Sequence, residues 1–72
     1  MSSTERHVRR HARQVALALW VGTNGWPTGA TVRTLAGALG CDRRTVYRDL
    51  RAVALAIPLV ERMRRAAETV QP

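Results

Sequence analysis

The chain has 72 residues, twelve basic and five acidic, for a net charge of +7 at pH 7. That length allows a single domain, 1–72, with a modest core. The charge points to a polyanion held through counterion release, nucleic acid being the default. Apolar residues make up 46% of the sequence, yet Trp20, Trp26 and Tyr47 are its only aromatics and Phe is absent. Ala, Leu and Val must fill the interior, which suits close-packed helices, so the expected class is mainly α.

Every basic residue is Arg, the side chain whose planar fork suits phosphates and guanine edges. Cys41 stands alone and excludes an internal disulfide. It reads as a small core residue in a reducing, cytoplasmic setting. His7 and His11 are spaced i, i+4, but no carboxylate or thiolate completes a metal shell, so no metal is expected. There is no Gly-rich phosphate loop, no carboxylate pair at helical spacing and no nucleophile beside a base. Neither enzyme activity nor a cofactor is expected. The N-terminus lacks the apolar region of a signal peptide, and no apolar run reaches about 18 residues, so no membrane partner is expected either.

In chain order, a first helix is predicted over about 4–21, with Thr4 or a Ser before it as cap and Glu5 at its positive end. Val8, Ala12, Val15 and Leu19 form one stripe; Arg6, Arg9, Arg10 and Arg13 form another nearly opposite, expected to hold phosphates. From Ala16 to Val21 the helix is apolar all round and needs cover from its own domain or from another subunit. Gly22–Gly29 carries loop signals throughout, with Trp26 expected as a plug on the core beneath. A second helix is predicted from Thr31 as N-cap, with Val32, Leu35, Ala36 and Leu39 at helical spacing and Gly40 as its left-handed end. Asp42 then caps a third helix, Arg43 to about Ala56. This is helix-turn-helix spacing, with a core at about 31–56.

On the third helix, with Arg43 at zero, Val46, Leu50 and Val53 point to about 300°, 340° and 280°, a coherent buried face. Arg43, Arg44, Tyr47, Arg48 and Arg51 lie between about 0° and 140°, the face turned away from the core. A solvated face usually mixes charge signs; this one is purely positive, which costs folding energy through self-repulsion unless an anion binds.

The segment from Thr31 to Arg51 resembles the N-terminal helix-turn-helix domain of DeoR-like and WYL-domain bacterial regulators. The likeness rests on Leu35-Ala36 and Leu39-Gly40, followed by Arg43-Arg44-Thr45-Val46-Tyr47-Arg48-Asp49-Leu50. The resemblance implies DNA contact by Arg43, Arg44, Thr45, Tyr47, Arg48 and Arg51, the residues nearest the helix start reading base edges. Thr31 and Arg33 on the preceding helix join them as candidates. Asp42 replaces the usual Ser, and Ala56 stands where Gly normally ends the helix. The family's ligand-sensing domain has no counterpart within these residues, so no small-molecule effector is expected.

The tail, 58–72, has two readings. The resemblance expects a β-hairpin wing, with Leu59–Met63 as its first strand, making the whole a winged-helix-like domain. Against it, no Gly or Asn turn is present, and Val60, Met63, Ala67 and Val70 have helical spacing. A short, degenerate wing is the favoured reading over a helical tail.

The expectation is a sequence-specific DNA-binding regulator with double-stranded DNA as its partner, a repressor acting by occupying its site, associated with a bacterial nucleoid. The alternative is a protein-interaction adaptor docking on RNA polymerase or another regulator. A homodimer is expected through Leu17, Trp20 and Val21, joined by Val60, Met63 and Val70, reading half-sites about one turn, roughly 34 Å, apart.

Overall fold

The computed structural model describes residues 2–70 and contains three helices: α1 (Ser3–Asn24), α2 (Gly29–Leu39) and α3 (Arg43–Val70). The last two residues of the predicted tail lie outside the described residues. Each helix starts at an oxygen-bearing side chain that accepts one of the unpaired N–H groups of the first turn. Ser2 Oγ accepts from the Glu5 N–H at 3.1 Å. Thr28 Oγ1 accepts from the Thr31 N–H at 3.3 Å, so Thr28, not Thr31, caps α2. Asp42 Oδ1 accepts from the Thr45 N–H at 2.9 Å, as expected.

The helix ends follow from two glycines. Gly25, at φ 84°, terminates α1, and Gly40, at φ 69° and ψ 33°, terminates α2 in the left-handed conformation that favours glycine. α1 runs past the expected Val21 to Asn24: the Gly25 N–H still reaches the Val21 carbonyl at 2.8 Å, and Thr23 Oγ1 and Asn24 Nδ2 donate to the Leu19 and Trp20 carbonyls at 3.2 and 3.0 Å. Those bonds carry the helix through Gly22. The remaining loop is only Gly25–Thr28, and Trp26 is 53% exposed in it. It does not plug the core.

Leu17, Val32, Ala36, Val46, Leu50 and Val53 form the core, with Val21, Leu35, Leu39 and Cys41 packed at its edge. α3 packs against both other helices. The predicted buried face of α3 is the observed one. The predicted apolar stripe of α1 is not: Val8, Ala12, Val15 and Leu19 are exposed, and Leu17, on the opposite side of the helix, is buried. Leu17 thus belongs to the monomer's interior and is no dimer contact, while Trp20 and Val21 are half-buried beside it.

The tail is helical. Leu59–Met63 lies inside α3, and no strand occurs among the described residues, so the expected wing is replaced by a continuation of the helix. Pro58 sits within it. At about 1.5 Å per residue α3 is roughly 42 Å long, which accounts for the longest dimension of a 45 × 32 × 16 Å molecule. Past Val53 it buries no residue. No helix among the described residues is long and apolar enough to cross a membrane.

Candidate nucleic-acid interface

Burial of Val46, Leu50 and Val53 against α1 and α2 fixes the rotation of α3 and turns Arg43, Arg44, Tyr47, Arg48 and Arg51 to solvent. Arg43, Arg44 and Tyr47 line one shallow depression with Asp42 at the helix start. Asp42 is the acidic residue at this edge, and it is engaged with Thr45. Hydrogen bonds from the Thr45 N–H and hydroxyl, with Arg44 and Arg48 nearby, hold its carboxyl below the usual carboxylate range. Its charge is screened by the residues that a phosphate would otherwise meet alongside it.

Tyr47 reaches across to α2. Its hydroxyl lies 3.8 Å from where a Cβ on Gly29 would stand, so the phenol sits at the first turn of α2. That turn presents free N–H groups and the positive end of the helix dipole. The site therefore joins the exposed face of α3 to the start of α2. Thr31 is half-buried within the first turn of α2, its hydroxyl 3.0 Å from that of Thr28, and Arg33 is exposed on the same helix. Thr45 is half-buried, with its N–H given to Asp42.

The arginines of α1 do not act as one stripe. Arg6 and Arg10 line a depression with Ser3 and His7 near the start of α1. Arg9 faces the α2–α3 turn at Leu39, Gly40 and Cys41. Arg13 is turned inward: its Nε–H donates to Asp49 Oδ2, forming an ion pair with a carboxylate that is 1% exposed. The hydrogen bond from Arg13 to Asp49 holds the guanidinium still more firmly in its charged form. Gln14 Nε2 donates to the other oxygen, Oδ1, at 3.2 Å. Among the described residues no buried side-chain polar atom lacks a partner. The Arg13–Asp49–Gln14 contact locks α1 to the back of α3, opposite the arginine face. Sequence reasoning missed it, and the signal was a lone acidic residue one position outside an apolar face.

His7 and His11 gather no further ligand: no group of three His, Cys, Asp or Glu able to hold a metal occurs among the described residues. Comparison with protein-family models, curated proteins and solved structures finds no match for the chain.

Proposed function

We propose that the chain is a sequence-specific DNA-binding regulator in which α2, the Gly40–Asp42 turn and α3 act as a helix-turn-helix unit. One observation carries the reading: four guanidinium groups and a phenol share an exposed face of α3 that begins at a capped helix start. Arg44 and Arg48 read base edges in the major groove; Arg43 and Arg51 hold phosphates, with Tyr47 beside the first turn of α2. The resemblance of residues 31–51 to DeoR-like and WYL-domain regulators supports the same assignment. Occupation of a promoter site by such a domain makes it a repressor. Exposed Arg6, Arg9, Arg10 and Arg33 extend the positive field, and Arg13 is withdrawn from it.

The test is selection of bound fragments from a random DNA pool, followed by titration on the winning site. Replacing Arg44 or Arg48 with Ala should cost about 1–3 kcal/mol on that site and flatten preference at one base pair. Unchanged sequence preference after both replacements would remove the base-reading assignment. A chain that retards no DNA at low salt would leave the adaptor reading in its place.

A further inference from the structure

Beyond the core, α3 carries an apolar stripe that nothing else in the described chain covers. Ala52, Ala56, Leu59, Met63, Ala66 and Val70 follow one another in alternating steps of four and three residues, the spacing of a seam between paired helices. α1 flanks the beginning of this stripe: Ala52 and Ala56 are half-buried and line a shallow apolar groove with His11, Val15 and Ala18. From there the stripe runs open, with Leu59 52%, Met63 69% and Val70 83% exposed. The charged side chains of the tail keep off it. Arg64 pairs with Glu61 along the helix, on the other side.

The geometry points to a second copy of this chain as the occupant, its α3 tail lying antiparallel along this one. Parallel pairing would bring both α1 helices to the same end and into the space between the α3 helices, because α1 flanks the seam side at Ala52 and Ala56. Antiparallel pairing avoids that clash. The described tail then reaches the partner's Leu59, next to the groove that the partner's α1 forms with α3. The register follows from the stripe itself: Leu59 meets the partner's Val70, and Met63 meets the partner's Ala66, a long side chain opposite a short one. Flanking the seam, Val60 lies beside the partner's Ala67 and Arg62 beside the partner's Thr69. No like charges face each other, although each chain carries +7. The stripe holds no aromatic, which suits a partner helix rather than a lipid surface, where Trp or Phe commonly enters the boundary.

The interface is small. Residues 59–70 and the groove edge fall well short of the about 20–30 residues a side of a standard interface, so the dimer is weak. It stands apart from the nucleic-acid reading, because it is measured without DNA.

Sedimentation equilibrium of the full chain between about 1 and 300 µM should show a monomer passing to a dimer over that range. Met63→Glu should raise the dissociation constant at least about tenfold without altering the fold, since the side chain is exposed. Orientation is read by disulfide trapping in a Cys41→Ala background. Chains carrying Leu59→Cys mixed with chains carrying Val70→Cys should cross-link to each other, while neither cross-links to itself, because like positions then lie roughly 16 Å apart along the seam. A chain that stays monomeric at the highest concentration, or a dimer indifferent to Met63→Glu, would overturn the proposal. Self-cross-linking of each variant would overturn the antiparallel arrangement. Binding of a monomer to anionic vesicles that Met63→Glu abolishes would give the stripe to a membrane surface instead.

Discussion

Asp49 sits on a helix crowded with arginine, yet its carboxylate is buried and turned away from every one of those on its own exposed face. A buried charge persists only when paired and hydrogen-bonded, and Arg13 and Gln14 supply both. The two ends of the pair are not equivalent. Arg13 retains some access to water, with its side chain 23% exposed, while Asp49 has almost none. Removing Arg13 strands a carboxylate in the interior; removing Asp49 leaves a guanidinium that can swing outward. Arg13→Ala should therefore cost about 3–5 kcal/mol in chemical denaturation, and Asp49→Ala roughly half as much. Equal losses, or an Arg13→Ala variant that folds normally but binds DNA less tightly, would return Arg13 to the phosphate-binding set. The same pair explains why the packing side of α1 was illegible. At the level of Asp49 the inward residues are Arg13 and Gln14, so apolar periodicity selects the opposite side, and the stripe through Val8 and Leu19 that looks like a core face is solvent-exposed.

At the level of elements, the caps and the α3 face were legible because each is local chemistry: Asp42 before Arg43, Gly40 after Leu39, and Val46, Leu50 and Val53 at helical intervals. The start of α2 was placed a turn late because Thr28 and Thr31 are both competent caps, and only the fold of the Gly25–Thr28 loop chooses between them. The length of α3 was the larger miss. Pro58 removes the N–H that would reach the Ala54 carbonyl and crowds that carbonyl, which argues for a stop. Ala54 is exposed, so its carbonyl is left on the solvent side rather than in the core, and the helix continues. Pro58→Ala restores the bond, and an interior proline is worth about 3 kcal/mol of helix propensity. Because residues 59–70 add nothing to the core, that gain should appear as greater helicity in circular dichroism and slower amide exchange in the tail. Exchange at Val46–Val53 should not change. A variant with less helicity, or with faster exchange in the core, would show that the tail owes its shape to something other than the helix of which Pro58 is part.

Across the whole molecule the charge distribution sets two responses to salt of opposite sign. Among the described residues there are two ion pairs, Arg13–Asp49 and Arg64–Glu61, against twelve arginines. The remaining positive charge crowds the exposed face of α3 and the start of α1, and it repels itself in the folded state more than in the extended chain. Raising sodium chloride from about 0.1 to 1 M shortens the screening length from roughly 10 to 3 Å. The free protein should therefore melt at a higher temperature in high salt, by several degrees for each kcal/mol of repulsion relieved, at about 4–8 °C per kcal/mol for a domain this small. DNA affinity should move the other way, falling with a logarithmic slope near −0.9 for each phosphate neutralised. Replacing Arg44 and Arg48 together with Gln should shrink both responses, because the same guanidinium groups repel one another in the free protein and would meet the anion in the complex. Differential scanning calorimetry and fluorescence titration over one salt series measure the two. A melting temperature that falls as salt rises would mean that the two ion pairs outweigh the repulsion. The arginine face would then be a surface already at ease with its charge rather than one held ready for a polyanion.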